Sequence, residues 1–271
     1  MNDVFLSTMK RVVRFALNFW PDNRGIPILG GPLKYSLLPK GAARENLIML
    51  LGRYEPHVVR TLFSIANSEM VTYDVGAHVG FLTLALAKRV GRGGQVFCFE
   101  PIPGNYHLIE QLINLNNLEQ VVRVIPVALG NTTCPQKMFM GESPSMYLLE
   151  AALDGQDING CPSMMVTTLT LDAFVFEQSN PAPDILKIDV EGAEALVVQG
   201  GLRTLDVYSP KILIEIHGPR NAKKMWSLVQ PLNYSWRHLT PKKQEKVSSQ
   251  QKLLSYFSKD SWTHHFLLER Q

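Results

Sequence analysis

Cysteine is scarce in this chain: there are three in 271 residues, Cys98, Cys134 and Cys161, odd in number, far apart and in no CxxC pair. Such usage excludes a disulfide framework and a paired-cysteine zinc site, and it fits a reducing compartment, so a cytoplasmic setting is expected. Charge of one sign is scarce as well. Charged residues make up 19% of the chain and the net charge is +3, with Lys and Arg scattered apart from pairs such as Lys223-Lys224 and Lys242-Lys243. Without a basic stripe to neutralise phosphates, nucleic acid is not expected as a partner. Long hydrophobic runs are missing too. "FLTLALA" at 81–87 falls far short of the roughly 20 apolar residues a membrane-spanning helix needs, so no stable membrane insertion is expected. The opening "MNDVFLSTMKRVVRFALNFW" has the spacing of a short amphipathic helix, with Lys10, Arg11 and Arg14 among apolar residues. It lacks the continuous apolar core and small-residue cleavage site of a signal peptide, and weak contact of this helix with a membrane surface stays open.

What is present is the composition of a globular α/β chain, 45% hydrophobic, long enough to bury a sizeable core. Residues 1–69 read as an N-terminal helical cap and linker: Gly and Pro crowd residues 21–41, and helices are expected through "ARENLIMLLG" and "PHVVRTLFSIA". Residues 70–271 read as the main domain. Apolar strand-like runs ("MVTYDV", "QVFCFE", "VRVIPVAL", "DILKIDV", "KILIEI") alternate there with helical stretches, the signature of a doubly wound, mostly parallel sheet. The segment at 131–170, rich in Pro, Gly, Ser and Met, reads as a mobile insertion over the sheet edge. "YSWRHLT" and "THHFLLER" read as a terminal antiparallel pair of strands, with "PKKQEKVSSQQK" an exposed loop between them.

"TYDVGAHVGFLTLALA" at 72–87 is a strand that turns at glycine into a helix, the place where a nucleotide-like ligand meets such a sheet. Gly76 and Gly80 are read as clearing space for a ligand, with Ala77 and His78 in the same turn. The spacing is not the GxGxxG of a dinucleotide fold, and Asp74, two residues before the turn, would repel a pyrophosphate but suits a ligand bearing an ammonium or sulfonium charge. Glu100, twenty residues past Gly80, ends the next strand where an acid binds a ribose hydroxyl pair. Together these point to S-adenosylmethionine. For His78, support of the loop is favoured over ligand contact.

Taken in order, "YEPHVV" (54–59), "YDVGAHVGFLTL" (73–84), "FEPIPGNYHLIEQLINLN" (99–116), "LDAF" (171–174), "LKIDVEGAEALVVQGG" (186–201) and "ILIEIHG" (212–218) resemble the FkbM-type S-adenosylmethionine-dependent methyltransferases. The resemblance spans about residues 54–218. It implies a class I methyltransferase (Rossmann-like) fold that methylates a hydroxyl of a sugar, glycolipid or natural-product acceptor. One departure is His78, where the family commonly has Asn.

A second constellation bears on chemistry. On "DILKIDVEG" Lys187 and Asp189 share a face by the two-residue strand period, and on "KILIEIHG" Glu215 and His217 do the same, all among apolar neighbours. If the strands are adjacent, the four converge. Removing a hydroxyl proton as methyl transfers needs a base, for which His217 is the leading candidate through its near-neutral imidazole, with Asp189 as an alternative base or acceptor anchor. The structural alternative is a Lys187–Glu215 ion pair holding the sheet, with Glu191 and Glu194 complementing a helix N-terminus. Asp189, Glu191, Glu215 and His217 also offer ligands for magnesium or manganese, but the ammonium of Lys187 opposes a nearby cation, so a divalent metal is not favoured. Two other functions share this fold: a nicotinamide-dependent oxidoreductase, which the missing GxGxxG disfavours, and a non-catalytic cofactor-binding module.

Overall fold

The computed structural model describes residues 11, 13–21, 23–141, 147–153, 158 and 160–270. Of the expected N-terminal helix, residues 13–18 are helical and 1–10 lie outside the described residues. The expected linker at 21–41 contains a short antiparallel pair, β1 (Ile26–Pro27) and β2 (Leu37–Leu38). The helix expected through "ARENLIMLLG" is two helices, α1 (Lys40–Glu45) and α2 (Leu47–Leu50). Asn46 divides them: its backbone is extended, and its side-chain oxygen accepts the Ile48 N–H at 3.0 Å. An asparagine that caps the following turn competes with continuation of the preceding one. α3 (Pro56–Ile65) starts on a proline in its first turn and buries Val58, Val59, Leu62 and Ile65, one stripe of an amphipathic helix.

Alternation then sets in with β3 (Val71–Val75), α4 (Phe81–Val90), β4 (Gln95–Phe99), α5 (Pro103–Asn116) and β5 (Val122–Ile125). Pro126 ends β5 and the chain leaves the main sheet. β6 (Ala128–Gly130), β7 (Pro135–Met140), β8 (Tyr147–Leu149) and β9 (Ser163–Thr170) make a separate four-stranded sheet in the order β6-β9-β7-β8. The expectation of a mobile insertion at 131–170 is thus corrected for its described part. β7 pairs with β9 from Pro135↔Thr167 to Phe139↔Ser163, and Met138, Leu149 and Val166 bury a small core of their own. Residues 142–146, 154–157 and 159 of that segment lie outside the described residues.

The chain re-enters the main sheet with β10 (Ile185–Ile188), followed by α6 (Glu194–Gln199), α7 (Leu202–Tyr208), β11 (Lys211–His217), α8 (Gly218–Val229), β12 (Tyr234–Leu239), β13 (Gln244–Val247), α9 (Gln250–Leu254) and β14 (Thr263–Arg270). The eight strands are ordered β13-β12-β14-β11-β10-β3-β4-β5, with β11, β10, β3, β4 and β5 parallel and the terminal strands antiparallel. β12 and β14 match the expected terminal pair. The loop expected between them is partly regular, since Trp236↔Val247 pairing makes β13 and Ser249 caps α9 by accepting the Lys252 N–H.

Both faces of the sheet are covered, as parallel strands with near-continuous apolar sequence require. One core joins α3, α4 and α5 to the cap, through residues such as Ile28, Leu38, Met49 and Leu62; the other joins Tyr73, Phe97 and Phe99 to Phe174, whose rings meet at 5.0–5.5 Å. Chain order reverses between β3 and β10, because β3 leads outward to β4 and β5 whereas β10 leads the other way to β11. The crevice beyond the strand ends at such a reversal is where a ligand enters.

Candidate active site

A cleft of about 180 Å³ opens at that reversal. Its polar wall is formed by Tyr54, His78, Glu100, Asp189 and Glu191 beside the backbone of Gly76, and its apolar wall includes Phe99, Ile102, Leu129, Met138 and Tyr147. The second sheet therefore supplies one side of the cleft and the cap another.

The glycine turn is built for close chain packing. At Gly76 (φ +76) an added Cβ would overlap the carbonyl oxygen of Asp189, and at Gly80 (φ +84) it would press on Ile109 at 3.3 Å. The absence of a side chain at these glycines admits the chain itself, the Asp189 backbone just past β10 at Gly76 and α5 at Gly80, and the Gly76 backbone lines the cleft. Gly76 and Ala77 donate their N–H groups to the Phe99 carbonyl, at 3.1 and 3.2 Å, which seats the turn on β4. His78 itself has a left-handed backbone (φ 52). Its N–H donates to Glu100 Oε2 at 2.8 Å and its Nε2 meets Glu45 Oε1 at 2.8 Å, so His78 ties the turn both to β4 and to the cap. Burial works against the imidazolium, but the hydrogen bond and charge of Glu45 outweigh it and raise the His78 pKa.

Glu100 lies 4% exposed at the end of β4 and within the cleft wall. Besides His78, the Ile102 N–H at 3.0 Å and Asn105 Nδ2 at 3.3 Å donate to it. Burial raises its pKa, opposed by those hydrogen bonds.

Asp74 sits beneath the turn and does not line the cleft. On β3, Tyr73 and Val75 face one core while Asp74 faces the other, where Thr83 Oγ1 donates to it at 2.6 Å and Lys187 Nζ lies 3.1 Å away. Lys187 and Asp74 are direct cross-strand neighbours in the β3–β10 register. Lys187 also donates to the Gly76 carbonyl at 3.1 Å and lies 3.8 Å from Asp189. Its burial is offset by Asp74 first and Asp189 second, so the ammonium is held charged with its pKa raised. The Lys187–Glu215 pair considered from sequence is not formed, because register places Lys187 beside Asp74.

Glu215 pairs instead with His265 at 3.2 Å, its direct register partner on β14, and Glu55 Oε2 lies 3.8 Å from the same Nε2. Despite burial, the His265 hydrogen bond brings the Glu215 pKa down to about 2. Glu55, at the strained N-cap of α3 (φ 38), is pushed up to about 7 by burial and then by the Asp189 charge. β10 and β11 are neighbours as expected, yet the four polar residues do not form one quartet. Lys187 joins Asp74 and Asp189, Glu215 joins His265, and His217 turns to α6.

There His217 Nδ1 meets Glu194 Oε1 at 2.9 Å and Nε2 meets Glu191 Oε2 at 3.2 Å. Glu194 is fully buried and is further held by Asn221 Nδ2 and the Gly192 N–H. Burial disfavours the imidazolium, but Glu194 foremost, then Asp189 and Glu191, lift its pKa to about 10. The expectation of a near-neutral histidine base is corrected: both ring nitrogens carry protons that carboxylates accept, so at neutral pH no lone pair is free. Asp189, on the cleft wall, has its pKa raised by burial against the pull of Lys187.

Among the described residues, two sets bring three metal-ligating atoms within 4.8 Å of one another: Asp189, Glu191 and His217, and Glu55, Glu215 and His265. In each set a histidine–carboxylate pair already balances charge, and Lys187 stands beside Asp189. A metal there would have to displace a proton from histidine.

Sequence reasoning did not single out Tyr54, Glu55, His265 or the second-sheet residues Met138 and Tyr147. For the first two the signal was "YEPHVV" itself; for His265 it was the polar pair His264-His265 opening an otherwise apolar strand.

A doubly wound parallel sheet with an antiparallel C-terminal edge and an acid at the tip of the strand after the glycine turn defines a class I methyltransferase fold. The Methyltransferase FkbM domain matches residues 74–245, more than half of the chain, and the chain belongs to that family. A hexuronic acid methyltransferase, AglP, of Haloferax volcanii is 27% identical over 178 residues, covering 65% of this chain and 69% of that protein. Among solved structures, a methyltransferase FkbM from Methylobacillus flagellatus matches with a TM-score of 0.46 and 13% identity over 78% of this chain; the match spans only 50% of that one. An S-adenosylmethionine-dependent O-methyltransferase from Thermotoga maritima matches with a TM-score of 0.47 and 12% identity, over 87% and 83% of the two chains.

Proposed function

We propose that this protein is an S-adenosylmethionine-dependent O-methyltransferase that acts on a hydroxyl of a sugar-containing acceptor. The observation that carries the reading is the placement of Glu100 and Asp189 on the wall of one cleft, at the ends of β4 and β10, beside the Gly76–Gly80 turn. The residues present suit the cofactor. Glu100 offers carboxylate oxygens to a ribose diol, Phe99, Ile102 and Leu129 offer an apolar wall to an adenine ring, and Asp189 offers negative charge to a sulfonium. The likeness to a relative named as a hexuronic acid methyltransferase supports a sugar acceptor.

Bound S-adenosylmethionine would supply an electrophilic methyl group on a sulfonium sulfur. Asp189 takes the acceptor hydroxyl proton as the oxygen–carbon bond forms, a role its raised pKa favours by making the carboxylate a better base. His217 acts as a fixed cation between Glu191 and Glu194 and holds the strand-end carboxylates in place. Lys187 and Asp74 brace the turn from below, and Glu215 with His265 supports the wall behind Asp189. Alignment of donor and acceptor is the larger contribution, since the sulfonium is already a good leaving group.

The test is calorimetric titration with S-adenosylmethionine, S-adenosylhomocysteine and NAD, followed by transfer of labelled methyl to uronic-acid and neutral glycans read by mass. Binding of NAD in preference to S-adenosylmethionine would overturn the cofactor assignment. Methylation confined to nitrogen or carbon of other acceptors would overturn the hydroxyl assignment.

A further inference from the structure

The cap carries a feature that the cleft chemistry does not use. Phe15 and Phe19 stand 65% and 76% exposed with their rings 5.3 Å apart, on the segment whose Arg14 and Asn18 contact α1. Leu29, Tyr35 and Leu51 are 62%, 76% and 50% exposed on the adjoining part of the cap, where the loop after β1 lies on the end of α2. That loop is fastened there: Leu29 N–H donates to the Leu50 carbonyl at 2.8 Å, and Tyr35 N–H to the Ile28 carbonyl at 2.9 Å. Phe15 lies beside Phe19, and Leu29 lies by the end of α2 that Leu51 caps; exposed large apolar side chains in such clusters mark contact surfaces.

Charge says what that surface meets. Residues 11–53 hold seven Lys and Arg against two Asp and Glu, although the whole chain carries only +3. Arg24, Arg44 and Arg53 make no ion pair among the described residues; Arg14 donates only to a backbone carbonyl, and Lys34 lies over the Tyr35 ring at 4.7 Å. Aromatic and aliphatic side chains interleaved with unpaired cations suit the headgroup level of an anionic bilayer, where rings sit at the interface and arginines meet lipid phosphates. A second copy of the same face would oppose cation to cation, and nucleic acid would leave Phe19 and Leu29 unsatisfied. No helix among the described residues is long and apolar enough to cross a membrane, so the contact is peripheral.

We propose that the exposed face of residues 11–53 docks this protein on an anionic membrane surface. The cap also forms part of the cleft: Tyr54 follows it directly and lines the cavity, and Glu45 at the end of α1 holds His78 of the glycine turn. This inference stands apart from the acceptor and the reaction proposed above.

The experiment is flotation of the full chain with vesicles of phosphatidylcholine alone and of phosphatidylcholine mixed with phosphatidylglycerol. Recovery with the anionic vesicles should exceed that with neutral ones at least roughly fivefold and fall as salt is raised through about 0.5 M. Phe15→Ser with Phe19→Ser, Leu29→Ser with Leu51→Ser, and Arg44→Gln with Arg53→Gln are the three variants, each checked for an unchanged far-ultraviolet spectrum and thermal midpoint. Loss of flotation in any of them supports the proposal. No flotation of the wild type with anionic vesicles, or full flotation in all three variants, overturns it. So does a wild-type dimer in light scattering that the Phe or Leu variants convert to monomer, for the face would then serve a second copy.

Discussion

The Nδ1 atom of His217, at the end of β11, lies 2.9 Å from Glu194 Oε1, a carboxylate with no exposed surface in the first turn of α6. This pair fixes the ring so that Nε2 faces Glu191, and it makes the histidine a cation in a place where sequence alone suggested a base.

A pH dependence of stability follows from that pair. The folded pKa of about 10 stands above the ordinary value of 6.5, so the stabilisation is complete below about pH 6.5 and is lost as pH rises toward 10. Thermal midpoints measured from pH 6 to 10 should fall in the wild type and fall less in His217→Gln. An equal slope in the two proteins would show that His217 is not the group responsible.

Removing the buried carboxylate should be more damaging than removing the histidine. Glu194→Ala leaves His217 Nδ1 and Asn221 without their shared acceptor, and a loss of about 3–5 kcal/mol is expected in urea unfolding, as when one member of a buried pair is deleted. A proton resonance of His217 that still titrates near 10 in this variant would contradict the assignment of cause.

For cofactor binding, Glu100→Ala should weaken S-adenosylmethionine by about 1–3 kcal/mol, through loss of charge-assisted hydrogen bonds and of the acceptor for the His78 and Ile102 N–H groups. Calorimetry with S-adenosylhomocysteine separates the contributions: an equal loss for both ligands places Glu100 on the shared nucleoside. Unchanged affinity removes the ribose role.

In turnover, Asp189→Asn should cost about 10²-fold or more, and it should weaken S-adenosylmethionine while leaving the uncharged S-adenosylhomocysteine nearly unaffected. His217→Ala should also reduce turnover, but the wild-type rate should show no rising limb near 6.5, because that imidazole is already charged there. Excess EDTA should leave the rate unchanged. Loss on chelation, with recovery on magnesium or manganese, would instead make Asp189, Glu191 and His217 a metal site.

Gly76→Ala tests the turn by itself. With φ at +76 and the Asp189 carbonyl where the methyl would go, the substitution should cost more than about 1 kcal/mol and displace β10 from the turn, so that both stability and cofactor affinity fall. A stable variant with normal affinity would show that the turn tolerates a side chain.

Much of this architecture was legible locally. The run "VTYDVGAHVGFLTLALA" states its own strand, turn and helix, because apolar residues bury a strand on both faces and glycine alone is at ease with the left-handed turn. The terminal strands were legible for the same reason. The second sheet was not, since its strands are short, broken by Pro and Gly, and paired across as many as 40 residues, as in Ala128↔Thr168. "PKKQEKVSSQQK" misled because polar edge strands and exposed helices have loop-like composition.

By itself the sequence determined which side chains carry charge among apolar strands, namely Asp74, Lys187, Asp189, Glu215 and His217, and the order of strands and helices that brings them to one end of a sheet. Only tertiary structure decided who pairs with whom. Register set Lys187 beside Asp74 and Glu215 beside His265, while the fold of α6 over β11 gave His217 to Glu194. The partner of a buried charge lies on another element, 23 residues away for His217 and Glu194 and 113 for Lys187 and Asp74, and the free energy of burying it depends on that partner, so the protonation state of each group is a property of the assembled site.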